Sequence, residues 1–183
     1  MIDTVVLEYV ITNYRWFFVT FFLLPISVTY DLYLFIRNWI TFVFRKSAPE
    51  KHDARVRGIS AQVKRWIANG KKNKMCTARP GWQAMSLRAG KYKKTYDNIR
   101  LDLHDILSIN TEKRTVTVEP MVTMGQITHS LLPLGWIIPV LPELDDLTVG
   151  GLVNGTGIET SSHRYGLFQH ICVAFEIVLA DGR

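Results

Sequence analysis

Two cysteines in 183 residues, Cys76 and Cys172, are too few for a disulfide framework and too far apart for a metal knuckle. They read as reduced, mostly buried thiols in a domain facing a reducing compartment. No lysine closes a glycine-rich run, which excludes a Walker loop. Zinc-finger, homeodomain and RNP signatures are missing as well. Nucleic acid is therefore not an expected partner, although the net charge is +6 and the pI about 9.4. Glu143, Asp145 and Asp146 crowd together, but no histidine or cysteine stands at ligand spacing. No metal is expected there, and the three read as loop carboxylates. Asp145 and Asp146 are candidate caps for the element that follows.

Long apolar runs are present, and they sit at the start. WFFVTFFLLPISVTYDLYLFI covers residues 16–36, long enough to cross a bilayer as a helix. Asp31 is its one charge and lies near an end. Pro25 kinks such a helix but is tolerated in a membrane. Trp16, Tyr30 and Tyr33 suit the two interfaces. Arg15 stands alone before the run, whereas Arg37, Arg45, Lys46, Lys51, Arg55 and Arg57 follow it. The positive-inside rule then places the rest of the chain in the cytosol. The same cations suit anionic headgroups. A second apolar patch at 39–44 offers the alternative of a monotopic hairpin. The expected organisation is a membrane anchor over 1–46, crossing once at about 16–36, and a second domain over 47–183.

In that second domain Val56, Ile59, Val63, Trp66 and Ile67 recur at helical spacing, and Asn69-Gly70 suits the helix end. A short strand is expected at 75–77. Ile99, Leu101 and Leu103 alternate with Arg100 and Asp102 as in a half-buried strand, and Val116 and Val118 alternate in the same way. A helix is expected from Met124 through Leu132, with Thr123 as its N-cap and Gly135 at its end. A last strand is expected at 172–179. Strands mixed with helices indicate an α+β fold. Asp181-Gly182 is a hairpin signal whose returning strand would follow. The expectation is a chain that continues in a longer protein, truncated here on its C-terminal side.

TVGGLVNGTGIETSSHRYG, residues 148–166, carries five glycines in nineteen residues. Bare backbone permits positive φ and close approach to a ligand. Successive amides in such a turn can form an anion-binding nest, with a phosphate as the usual guest. A tight structural turn explains the same residues. Gly155-Thr156-Gly157 supplies a GxG, but the third glycine and the preceding strand of a Rossmann fingerprint are missing. His163 reads as a loop histidine and His170 as a capping or packing residue. Neither is assigned as a catalytic acid.

The order of motifs adds a resemblance. NIRLDL, TVTVEPMVTMGQI, PVLPELDDLTVGG, the glycine loop, YGLFQH and IVLADG resemble the FAD-binding domain of the vanillyl-alcohol oxidase, or PCMH, type. MCTARPGW, LRAGKYKKTYDNI and SSHRYGLFQH are similar to the sterol side-chain reductases of that family. The resemblance implies an incomplete PCMH-type FAD-binding domain behind the transmembrane helix. It implies flavin contacts at Thr148, Val149, Gly150, Gly151, Asn154, Gly155, Thr156, Gly157, Ile158, Glu159 and Thr160, and at Arg79, Pro80 and Gly81 of a first pyrophosphate loop. Trp82 there is a core or lid aromatic, or touches the flavin. Many relatives bond the flavin covalently through a histidine in that loop. None stands between Cys76 and Gly90, so the FAD is expected to be noncovalent. NADPH is the implied electron donor, and a sterol double bond between carbons 24 and 25 the implied acceptor. The implied location is the endoplasmic reticulum or Golgi membrane. Another flavin oxidoreductase or oxidase, or a non-catalytic membrane-anchored fragment, is the alternative.

Overall fold

A computed structural model of the chain describes residues 2–44, 47–78 and 91–183. The chain divides into two compact units, Met1–Ser47 and Ala48–Arg183.

The first unit is helical: α1 (Ile2–Asn13), a turn at Tyr14, α2 (Arg15–Phe18), a π-helical stretch over Val19–Leu23, and α3 (Leu24–Phe44). Proline has no N–H and clashes with the carbonyl four residues back. The wider π turn lies just before Pro25, where the regular ladder has to be interrupted. Thr29 Oγ1 donates to the carbonyls of Pro25 and Ile26 at 2.8 and 2.9 Å. Arg15–Arg37 is long and apolar enough to cross a membrane, and none of it is buried inside the chain. The second apolar patch, 39–44, continues α3. No turn interrupts the backbone at Arg37-Asn38, where the hairpin alternative would need one. Helix α1 went unanticipated.

The second unit mixes helices with strands. Its first helix, α4 (His52–Ala68), buries Ile59 and Val63, one turn apart. It ends at Asn69, and Gly70 follows at φ 82°. Strand β1 (Met75–Ala78) pairs in parallel with β2 (Asp97–Arg100). The expected alternation persists to Leu103, but the ladder does not. Beyond Arg100 the backbone leaves β2 and bonds to residues 119–121 instead. Met121 N–H reaches Leu103 O at 2.9 Å, and Glu119 N–H reaches Asp105 O at 3.0 Å.

Strands β3 (Ile106–Asn110) and β4 (Thr115–Val118) form an antiparallel hairpin with a bulge between Ile106 and Ser108. Asn110 Oδ1 accepts Lys113 N–H at 2.8 Å, and Arg114 closes the turn at φ 53°. Helix α5 (Met124–Leu131) starts at Thr123 with a full capping box and runs into a 3₁₀ turn, Leu132–Leu134, that Gly135 ends at φ 77°. Short helices α6 (Val149–Gly155) and α7 (Ser162–Tyr165) follow. The core joins Val122, Met124, Ile127, Leu131, Val140, Leu152 and Phe168.

The expected strand at 172–179 is absent. The segment runs without a ladder partner, and Val173 and Ile177 are 85% and 67% exposed. A strand needs a neighbouring backbone to bond to, and among the described residues no strand pairs with this segment.

A buried ion cluster pins α4 to the hairpin. His52 and Arg55, three residues apart, share a helix face. Arg55 Nη1 donates to Asp105 Oδ2 at 2.6 Å and to Glu119 Oε2 at 3.2 Å. Glu119, with no exposed side-chain surface, also accepts Asp105 N–H at 2.7 Å and lies 2.8 Å from His52 Nδ1. Ala48 N–H reaches Asp105 Oδ2 at 3.1 Å. Arg55 is thus an internal cation. Its expected headgroup role is corrected, because its guanidinium is engaged by two carboxylates.

Breaking a buried pair from one side strands the remaining charge and costs about 3–5 kcal/mol. Glu119→Ala is expected to lose about that much in urea denaturation, and Glu119→Gln, which keeps acceptor and shape, distinctly less. Equal losses would show that packing, not charge, holds the cluster. The hydrogen bond that His52 donates to Glu119 raises the His52 pKa above its ordinary 6.5, against the cost of burial and with help from Glu176. A raised folded-state pKa stabilises below the unfolded value, and the contribution disappears as pH rises through the folded one. Stability is therefore expected to fall on the alkaline side of 6.5 by more than in His52→Gln. Parallel pH profiles of the two would refute this.

Candidate functional site

The glycine loop begins at a reciprocal cap. Thr123 and Thr148 each start a helix, and they face one another in an isolated antiparallel bridge. Met124 N–H bonds Leu147 O and Val149 N–H bonds Val122 O, both at 2.9 Å. One residue further, Gly125 N–H bonds Asp145 O at 3.0 Å and Gly150 N–H bonds Pro120 O at 2.8 Å. Gln126 and Gly151 N–H then return to the hydroxyls of Thr123 and Thr148 at 3.2 and 3.3 Å. The first three amides of each helix are engaged by the chain itself, the groups a helix start otherwise leaves orphaned. Thr148, not Asp145 or Asp146, is the cap of α6. Asp145 serves α5 through its carbonyl.

This explains two glycines without a ligand. A Cβ on Gly150 would stand 2.9 Å from Pro120 Cβ and 3.0 Å from Pro120 O, and one on Gly125 3.0 Å from Asp145 Cβ. Each helix start leaves room for the other's loop. The sequence signal is a repeated Thr-x-Gly, at Thr123-Met124-Gly125 and Thr148-Val149-Gly150, and the reading of the loop in isolation missed it. A Cβ on Gly157 would meet Phe168 and Leu152 at 2.9 and 3.0 Å. Of the five loop glycines only Gly166 has positive φ.

The resemblance-derived residues fall into two groups. Thr148, Gly150 and Gly157 face inward and serve the cap and the core, with Val149 half-buried beside them. Gly151, Asn154, Gly155, Thr156, Ile158 and Thr160 are exposed, and Glu159 is half-buried. The exposed group forms a shelf. Nothing lies within 4 Å of a Cβ placed on Gly155. Thr156 stands at φ 61°, a genuine outlier for a β-branched residue. Ile158 is 68% exposed, although apolar. The N–H groups of Ile158, Thr160 and Ser161 have no acceptor among the described residues.

The shelf is braced from below. Gly157 O accepts Phe168 N–H at 2.9 Å, Ser161 Oγ donates to Pro139 O at 2.8 Å, and Ser162 Oγ accepts Glu159 N–H at 2.9 Å. Asn154 Nδ2 donates back to Gly150 O at 2.7 Å. His163 Nδ1 donates to Thr160 O at 2.6 Å, and His170 Nδ1 accepts Leu167 N–H at 3.0 Å. Both histidines hold backbone. Arg79, Pro80, Gly81 and Trp82 lie outside the described residues. Among the described residues no group of three or more His, Cys, Asp or Glu is placed to hold a metal.

Free amides, open backbone and an exposed apolar side chain suit a ligand that is both anionic and flat. The FAD binding domain family matches residues 60–183, and the chain belongs to that family. Its relatives narrow the class. The chain is 59% identical over 176 residues to human Delta(24)-sterol reductase and 58% to the mouse protein of that name, covering 96% of this chain and 34% of each relative. It is 42% identical over 174 residues to Delta(24)-sterol reductase of Arabidopsis thaliana, covering 93% of this chain and 31% of the relative. The chain thus spans about a third of the length of these relatives. No solved structure matches it.

The two kinds of glycine predict opposite outcomes. Gly150→Ala overpacks against Pro120 and is expected to cost about 1–3 kcal/mol, read as a fall in Tm. Gly155→Leu meets open space and a better helix former, so Tm is expected to hold within about 1 kcal/mol of stability while bound flavin falls. Unchanged flavin in Gly155→Leu moves the site off the shelf.

Proposed function

We propose that residues 1–46 anchor this chain in a membrane and that residues 47–183 form the FAD-binding part of a reductase acting on a sterol side chain. The observation that carries this reading is the similarity of 96% of the chain to proteins named Delta(24)-sterol reductase. In this reading the anchor is the Arg15–Arg37 helix, crossing once at about 16–36. Arg37, Arg45 and Lys46 hold the following domain on the cytosolic side. The compartment is the endoplasmic reticulum or Golgi membrane. A sterol partitions into the bilayer rather than water, so an anchored enzyme stays in the phase that contains its substrate.

The residues present fit FAD. The amides of Ile158, Thr160 and Ser161 would bind its phosphates, as converging backbone N–H groups do in anion sites. Gly151 and Gly155 would let the ligand approach the backbone, and Ile158 would cover an apolar ring face. Thr156, held at positive φ, would aim the amides that follow it. Arg79, Pro80 and Gly81 would supply the second loop. FAD, when bound, would supply two-electron chemistry between NADPH and the double bond of carbons 24 and 25, whose other carbon takes a proton. The chain's share is to bind and orient that group, and no catalytic acid is assigned to it. With no histidine between Cys76 and Gly90, the attachment is noncovalent.

The test fuses this chain to the remaining two thirds of human Delta(24)-sterol reductase. The chimera is expected to purify yellow, to release its flavin into the supernatant on acid precipitation, and to convert desmosterol to cholesterol with NADPH. The 183-residue chain alone is expected to bind FAD weakly and to turn over no sterol. Colour that stays in the acid pellet overturns noncovalent attachment. A folded chimera without flavin or turnover overturns the reading.

A further inference from the structure

The end of α5 turns outward into an apolar surface. Leu131 belongs to the core, but the next residues do not: Leu132 is 62% exposed, Leu134 51%, Trp136 38% and Ile137 62%. The surface is not a loose loop. Its 3₁₀ turn is closed by Gly135 N–H to Leu132 O at 3.0 Å and by Trp136 N–H to Leu131 O at 3.1 Å. The β3–β4 turn meets it from a distant part of the sequence. The Arg114 guanidinium lies over the Trp136 ring, 5.7 Å from its centre. Lys113 is beside it, and Glu112 is the one carboxylate in that turn.

Four exposed large apolar side chains in six residues exceed the single scattered hydrophobes of an ordinary surface. Their chemistry matches a bilayer interface. Tryptophan supplies an amphipathic ring, leucine and isoleucine reach the acyl boundary, and arginine keeps its charge at headgroup level while its stem covers apolar surface. Lys113 and Arg114 outweigh Glu112 and complement anionic headgroups. We propose that Leu132, Leu134, Trp136 and Ile137, rimmed by Lys113 and Arg114, insert into the surface of an anionic membrane, giving the flavin domain a second lipid contact. The proposal rests on the membrane reading of Arg15–Arg37. A tethered domain meets the bilayer at high effective concentration, so a small patch suffices where it would fail alone.

The full chain is reconstituted in nanodiscs containing anionic lipid, with or without bromine on the acyl chains. The emission of Trp136 is the difference between the chain and Trp136→Phe, and that of Trp39 the difference from Trp39→Phe. The expected result is loss of Trp136 emission in brominated lipid and protection of it from aqueous acrylamide. Ile137→Asp, at an exposed side chain, is expected to reverse both, and serves as the comparison if Trp136→Phe folds poorly. Trp39 quenched by lipid with Trp136 quenched only by acrylamide overturns the patch and leaves the anchor standing. Neither residue quenched by brominated lipid overturns the anchor, and the patch with it.

Discussion

The second unit turns on the bridge between Thr123 and Thr148. A helix start exposes amides that need acceptors, and two starts placed back to back can satisfy each other. Here α5 is capped from the loop before α6, and α6 from the loop before α5. The exchange buries polar backbone without a ligand and sets the direction in which each helix leaves. Met124, Ile127 and Leu131 of α5 then meet Leu152 of α6 in one core. Gly125 and Gly150 are small because the partner loop passes directly over them. The chain beyond α6 inherits this frame, and the shelf of 151–160 is where the frame reaches solvent.

The Arg55–Asp105–Glu119–His52 cluster organises the other side of the unit. Its members come from α4, from the segment after β2 and from the end of β4, so one buried group of charges ties three chain segments together. Such a cluster adds less net stability than its contacts suggest, because desolvation opposes them. Its stronger effect is on arrangement. Glu119 accepts from the side chains of His52 and Arg55 and from the Asp105 backbone at once, which ties the position of α4 to that of the hairpin. His52 also reaches Glu176 at 3.1 Å, which links the cluster to the otherwise unpaired 172–179 segment.

The reciprocal cap closes the first part of the glycine loop and leaves the later part open. The helix start that a phosphate would ordinarily seek is occupied by the chain's own carbonyls and hydroxyls. The open groups lie later, around Gly155, Thr156 and Ile158. Thr156 holds a backbone conformation that glycine would adopt without strain. The role proposed for Thr156, aiming the amides that follow it, would use that conformation. The outward turn after α5 follows the same division: Leu131 completes the core, and the residues after it face away.

The sequence determined what depends on neighbours along the chain. The apolar run, the helix carrying Val56 through Ile67 with its Asn69-Gly70 end, and the Thr123 cap follow from periodicity and capping, all local. The order of motifs pointed to the flavin family because spacing along the chain is itself a sequence property. Tertiary structure decided everything that needed a partner. Arg55 reads as one of several cations behind a membrane segment, and becomes internal only because Asp105 and Glu119 fold against it. Residues 172–179 have the composition of a strand, but a strand exists only beside another. Gly150 reads as room for a phosphate and is room for Pro120, thirty residues earlier in the chain. A side chain's partners are set by distance in space, and a linear sequence records only distance along the backbone.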